Sequence, residues 1–357
     1  MRPGIDLHSL DRVGPTSPGE GQIMFSSKPP GSPAHGRGGL AFLAAIAALS
    51  APAAGADALL TRNQNPLLAP FGFPGALPSR LPAAGETRVA ATLNWANAAA
   101  VETTDRYEYT MDAELRELRL RVEHAVGPRF AAFMELPWRE VSGGSLDGVV
   151  EDWHDLFGLP DGSRGRLPRN QLLIEYGQDE ELLLQLDRET SGIADIPVAL
   201  GYQVTTSDSN SLTAWLSITL PAGEANGFTG SGATDVALSL AGESRLSDRW
   251  QLFGQVDAVW LGQGEVIPAL QEQFAWAALA GLSWNAWRAL DLTVQLHANS
   301  RVFDVVATNF SGEAVVLSFG GSYRTQGGWR FDVGASEDIK VKASPDASFN
   351  FAVRRGF

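Results

Sequence analysis

The chain of 357 residues contains no cysteine. That absence excludes a disulfide scaffold, a Cys-ligated zinc or iron–sulfur site and thiol catalysis. A basic excess is also missing: 27 Lys+Arg face 41 Asp+Glu, a formal net charge of −14. Nucleic-acid binding needs a basic patch or stripe, so no nucleic-acid partner is expected. Nor is there a polybasic signal for anionic lipid. Long apolar runs are absent too. The longest, Leu40 to Leu49, has ten residues, about half of what a membrane-spanning helix needs. What remains is a β-rich soluble protein or a β-barrel, whose membrane signal is hidden in alternation.

The apolar run belongs to an address. Residues 1–39 are rich in Gly, Pro and Ser, and Lys28, His35 and Arg37 precede the run. Ala54-Gly55-Ala56 follows with the small-x-small pattern of a signal-peptidase site, which makes Asp57 the first mature residue. Met24 gives a leader of ordinary length and marks residues 1–23 as an over-extended start. The expected organisation is a leader over 1–56, a Pro-rich segment over 57–85, and a β-domain over 86–357.

That last region alternates with period 2. Leu290, Leu292, Val294, Leu296 and Ala298 take turns with Asp291, Thr293, Gln295, His297 and Asn299. Leu212 to Leu220, Val315 to Arg324 and Trp329 to Gly334 behave the same way, as half-buried strands do. Aromatics mark strand ends. Trp250 and Trp260 share parity ten residues apart, and a strand at ~3.3 Å per residue, tilted by about 40°, rises roughly 25 Å over that distance. Phe274, Trp276 and Trp284 follow, with Phe130 and Trp138 earlier, as interfacial girdles require. Short connections at 126–128, 246–248, 285–287 and 325–328 alternate with longer ones near 97–105, 141–168, 221–232, 262–272 and 300–312. The expected fold is all-β: a single transmembrane antiparallel barrel of about 12–14 strands, with a long external loop carrying a short helix. Drafting fourteen strands requires members near 169–176 and 181–189. The stretch Tyr107 to Val122 switches parity after Leu115, which predicts a bulge.

The closing strand ends on Phe357, with Phe349, Phe351 and Val353 on the same parity. Such an ending resembles the insertion signal that outer-membrane barrels present to the barrel assembly machinery. Outer-membrane lipid and that machinery are therefore the expected partners, in a Gram-negative bacterium.

Candidate chemistry is sparse. Asn65 to Pro78 is apolar but too rich in proline for a strand or helix, and reads as a plug entering the barrel or as an extended tether. In the 141–168 loop, Leu146, Val149, Val150, Trp153, Leu156 and Phe157 fit helical spacing, with Asp147 or Ser145 as a cap. The apolar face of such a helix must be buried, against the barrel mouth or inside the lumen as a constriction. The loop residues Asp147, Trp153, His154, Asp155, Phe157, Arg164, Arg166 and Arg169 are the candidates for it. His154 beside Asp152 and Asp155 lacks further ligands at metal spacing. Ser145 and Ser163 stand in no G-x-S-x-G context, so His154 reads as a structural group, with no catalytic residue, metal or cofactor expected. Glu135, Asp257, Asp291, His297, Arg330, Asp332 and Arg354 fall on the lumen side of their strands. Their charges either pair and fill the barrel or line a channel.

Three segments together resemble one family. They are Asn65-Pro-Leu leading to Phe71-Gly-Phe-Pro74, Gly143-Gly-Ser-Leu-Asp147 with His154-Asp-Leu-Phe-Gly-Leu-Pro160 and Arg164, and Glu337 to Asp346. The family is the proteobacterial outer-membrane-barrel-like domain of unknown function 3187. The resemblance implies fold and location and carries no mechanism. The expected function is a passive channel or uptake pore for small solutes, narrowed by the 141–168 loop. The alternatives are an outer-membrane enzyme acting on lipid or lipopolysaccharide through the His154 loop, or a closed barrel serving structure or surface interaction.

Overall fold

The computed structural model describes residues 58–158, 164–340 and 343–357, so the leader lies outside the described residues. Fifteen strands follow one another: β1 (Thr87–Thr103), β2 (Tyr107–Ala125), β3 (Phe130–Ser142), β4 (Leu173–Gln178), β5 (Glu181–Leu186), β6 (Thr190–Ile193), β7 (Ile196–Thr206), β8 (Asn210–Leu220), β9 (Asp235–Arg245), β10 (Trp250–Trp260), β11 (Phe274–Trp287), β12 (Leu290–Asn299), β13 (Ala314–Arg324), β14 (Trp329–Lys340) and β15 (Ala347–Gly356). Among the described residues one α-helix, α1 (Asp147–Phe157), interrupts them between β3 and β4, followed by a single 3-10 turn at Arg164–Arg166.

Twelve of these strands close an antiparallel ring. β1, β2 and β3 pair in order, β3 pairs with β7, β7 to β15 follow in sequence, and β15 returns to β1. The other three lie outside the ring. β4 pairs with the outer end of β2 and turns into β5 at Asp179–Glu180, both at positive φ. β6 continues the line of β7 along β3. The segments drafted near 169–176 and 181–189 thus form a hairpin beyond the wall, and the ring stands at the lower end of the expected range.

Alternation sorts the two faces. Leu118, Leu120, Val122, Leu216, Ile218, Leu238, Leu240, Leu292, Val294 and Leu296 are 36–59% exposed. Their alternates Thr213, Ser239, Thr293 and Gln295 are buried in the lumen. An apolar outer face around a polar interior is the inverse of a soluble core, and is what a lipid-facing barrel requires. The stacked pair Trp250–Trp284 marks the short-turn end. The exposed cross-strand pair Trp260–Phe274 marks the other. Short turns identify the first end as periplasmic.

The parity switch in β2 involves no bulge. Its register with β1 runs unbroken from Thr87↔His124 to Thr103↔Glu108. The environment changes instead. Near the periplasm the lumen side carries Glu117, Arg119 and Arg121, while Leu118 and Leu120 face outward. Toward the external end the lumen side becomes Leu115, Ala113, Met111 and Tyr109, all buried, and the outer side becomes Glu114 and Asp112. Something apolar must fill the external lumen, and something polar must cover the outer wall.

Candidate functional site

The lumen is filled by the Pro-rich N-terminal segment. Pro66, Pro70, Pro74, Pro78 and Pro82 recur every fourth residue. Each lacks an N–H, which denies the chain a helix or ladder. Its remaining backbone groups must find side chains, because buried N–H and C=O groups need partners. Going outward, the Leu59 N–H donates to Gln295 Oε1 (3.0 Å), Asn350 Nδ2 donates to the Leu60 carbonyl (3.0 Å), and Asn63 Nδ2 donates to Asn299 Oδ1 (3.0 Å). The chain reverses at Asn65, whose side chain accepts the Leu67 N–H at 2.8 Å. On the return, the Gly72 N–H donates to Asp235 (2.7 Å) and the Leu77 N–H to Gln255 (2.8 Å). The Trp215 indole donates to the Pro78 carbonyl (2.9 Å), and the Leu81 N–H reaches Gln203 (2.9 Å). Arg62 staples the two arms, donating to the carbonyls of Phe73 (2.7 Å) and Ala69 (3.0 Å).

The hairpin tip supplies the apolar filling. Leu67, Phe71 and Phe73 pack with Tyr109, Leu115, Val141, Tyr176, Phe303 and Phe310 into one buried cluster at the external end. Phe303 and Phe310 come from the β12–β13 loop folded inward, and Phe71 meets Phe303 edge-on at 5.6 Å. Two glycines are required by close approach. A Cβ on Gly72 would stand 2.6 Å from Asp235 Cβ, and one on Gly201 would stand 2.7 Å from the Trp215 ring.

The structure places Glu135, Asp257, Asp291, His297, Arg330, Asp332 and Arg354 on the lumen side, all but Arg354 fully buried. Most are paired. Glu135 accepts from Arg119 (2.8 Å) and Arg121 (2.7 Å), and Glu117 from Arg119 (2.6 Å) and Arg139 (3.0 Å). Asp332 accepts from Arg330 (3.0 Å) and Arg354 (2.7 Å), while Asp291 lies 3.1 Å from Arg324. Asp257 accepts from Gln255 at 2.9 Å. Below the hairpin, toward the periplasm, opens a vestibule of about 1610 Å³, counting the solvent at its mouth.

The long loop sits elsewhere than the sequence suggests. Directly opposed residues of an antiparallel pair share a face. The pairs Glu114↔Asn97, Trp95↔Phe349 and Glu337↔Leu317 therefore lie on the outer wall, on the parity of Leu118 and Phe351. Against that patch the described part of the loop is seated. Glu114 accepts the N–H groups of Ser145 (2.7 Å) and Leu146 (2.8 Å); the N-cap is Leu146 rather than the expected Asp147 or Ser145, and Glu114 supplies the capping side chain that this position lacks. Asp147 accepts from Asn97 (2.9 Å) and Arg164 (2.7 Å), and Arg164 also binds Asp346 (2.5 Å). Burial pushes the Asp346 carboxyl up to about 6 against the pull of Arg164. Trp153 stacks on Phe319 at 6.1 Å and meets Phe349 edge-on at 6.2 Å. His154 is buried with Nε2 3.5 Å from Glu337. Asp155 is exposed, Arg166 donates to the Val101 carbonyl (2.8 Å), and Arg169 pairs with Glu151. The side chain of Phe157 lies outside the described residues. The expected constriction of the mouth or lumen by this loop is thus replaced by a cover on the outer wall, because Glu114 and Asn97 cannot face lipid bare. What narrows the lumen is the hairpin of residues 58–82.

Sequence reasoning missed Arg62, Gln203, Trp215, Asp235, Gln255 and Gln295 as hairpin-holding groups. Trp215 carried a signal: it stands on the polar parity of its strand, where a girdle aromatic does not belong.

Comparison with known proteins agrees with this architecture. The crystal structure of the COG4313 outer membrane channel from Pseudomonas putida F1 is similar with a TM-score of 0.54 and 16% sequence identity, over 78% of this chain and 97% of that chain. The NanC porin is more distant, with a TM-score of 0.43 at 10% identity over 74% of this chain and 98% of that one. For the KdgM porin the values are 0.42 and 8%, over 75% and 99%. No curated protein sequence matches. The family described as "Protein of unknown function (DUF3187)" matches residues 39–357. The chain belongs to that family, and its fold is the transmembrane β-barrel of the outer membrane.

Proposed function

We propose that this protein is an outer-membrane channel for small solutes, held closed by residues 58–82 acting as a plug. One observation carries the reading. The plug is fastened to the wall largely by hydrogen bonds between its backbone and neutral lumen amides, hydroxyls and an indole, beside charged partners at Asp235, Arg139 and Glu243. Each such bond is worth only about 1 kcal/mol net, and water can replace it. A barrel meant to stay solid is better filled with packed apolar side chains, whereas below the plug's tip the apolar contacts shrink to two small clusters, around Phe133 with Trp215 and around Phe253 with Leu279. Entry from the periplasmic mouth leaves both arms of the hairpin withdrawable toward that side. Phe349, Phe351, Val353 and Phe357 on the outer parity of β15 serve insertion by the assembly machinery.

Planar-bilayer recording tests the reading. The intact barrel is expected to conduct little, and deletion of 58–81 to give stepwise currents. Because the chain has no cysteine, Asn63→Cys with Asn299→Cys, closed by a short thiol crosslinker, supplies a second test in a folded barrel. The crosslinked form should stay shut under conditions that open the reduced form. A deletion variant that keeps heat-modifiable gel mobility yet never conducts, with no opening of the reduced pair, overturns the proposal.

A further inference from the structure

The periplasmic vestibule has a charge pattern that the plug does not explain. Arg324 stands opposite Arg330, Arg330 opposite Arg354, Arg354 opposite Ala90, and Ala90 opposite Arg121. One line across five neighbouring strands, β13 to β2, therefore carries four arginines with a single small residue between them. Like charges placed directly opposite destabilise a sheet, so the row breaks a local rule of strand pairing. Its counter-charges are set back. Asp332, Asp291 and Glu135 bind these arginines but do not line the vestibule. The vestibule is lined by six lumen-facing arginines against two glutamates, while Arg355 at its rim turns outward over Trp329. One of those glutamates, Glu243, is already held by Arg80 at 3.1 Å. In a protein of net charge −14, a cavity of this composition concentrates anions.

Three of the lining arginines also touch the plug. Arg354 donates to the Ala58 carbonyl (3.4 Å), Arg121 to the Ala76 carbonyl (3.4 Å) and Arg88 to the Arg80 carbonyl (3.1 Å). The first two are long, and a charged acceptor competes well for such donors.

We propose that the vestibule binds a small multivalent oxyanion, a solute bearing several carboxylates or a phosphate, from the periplasmic side. The guanidinium row takes the charged groups, and the space over Ala90 admits the body of the solute. Binding draws Arg354 and Arg121 off the plug carbonyls and so loosens the plug. The inference names a solute class for the channel proposed above and rests on that reading only for this last effect.

Calorimetric titration of the full-length protein in detergent at low salt, with citrate and in parallel with inorganic phosphate, tests it. Saturable binding is expected, weakening as salt is added. Arg88→Gln alters a half-exposed pair with Glu86 and should weaken binding roughly tenfold. Arg324→Gln combined with Asp291→Asn removes one member of the row with its buried partner and should act similarly. Binding of citrate alone supports a polycarboxylate, and of phosphate alone a phosphorylated solute. Absence of saturable binding for both anions overturns the proposal, as does unchanged affinity in the folded Arg324→Gln/Asp291→Asn variant. The titration reads no current, so a failure of conductance and a failure of binding are told apart.

Discussion

Two segments that belong to no ring strand bury themselves against the wall, one on each face. Inside, the plug of 58–82 is held by hydrogen bonds spread along its length, most of them to neutral groups and some to scattered charges such as Asp235, Arg139 and Glu243. Outside, the 143–170 loop is held by a compact set of charges. Glu114, Asp147 and Arg164 are each under 5% exposed, with Trp153 stacked beside them. The difference follows from what surrounds each face. A lumen open to water on the periplasmic side can solvate every bond the plug gives up, so detachment is cheap bond by bond. A charge uncovered on the outer wall faces hydrocarbon, where it costs several kcal/mol. The inner segment is held mostly by bonds that water can replace, and the outer one by charges that lipid cannot solvate.

Breaking the outer attachment should give the largest effect. Arg164→Ala leaves Asp147 and Asp346 without their cation, and severing a buried pair costs about 3–5 kcal/mol. Urea unfolding of the extracted barrel should shift accordingly, and trypsin should gain access to the loop at Arg166, while bilayer conductance stays unchanged. A change in conductance without loop cleavage would erase the contrast between the two faces. Next comes the inner attachment. Gly72→Val drives a side chain into Asp235, whose Cβ would lie only 2.6 Å from the new Cβ, and overpacking of this kind costs about 1–3 kcal/mol. Here the opposite pattern is expected, with more frequent opening and no gain in loop proteolysis. The smallest effect concerns pH. The folded loop raises Asp346 from 3.8 to about 6, so it favours the protonated carboxyl relative to the unfolded chain. Stability from this group falls as pH rises from about 4 to about 6. Acidifying from pH 7 to pH 5 should therefore slow loop proteolysis slightly, and Asp346→Asn should remove that response.

How legible these attachments were differs between them. The barrel could be read from alternation because lipid and lumen impose opposite demands on neighbouring residues, as Leu292–Thr293–Val294–Gln295 displays. β2 carried the two attachments as well, in its parity switch at Leu115. A bulge and a change of environment write the same pattern into a sequence, and only the unbroken register with β1 separates them. The helix of the loop was legible from the spacing of Leu146, Val150 and Trp153. Its seat was not, because Glu114 lies over thirty residues away and looks like any lumen glutamate. The plug's partners were hidden for the same reason. Gln255 and Gln295 differ from other interior polar residues only in meeting a backbone that lies far off in the chain.

That separation has a consequence in time. Leu59 bonds a residue 236 positions later and Leu60 one 290 positions later, and both must wait for strands made last. Contacts of such long range form late in folding. The seat of Leu60 does not exist until β15 is made, the same strand that closes the ring onto β1, so the earliest segment of the barrel to be synthesised is fastened only by its latest.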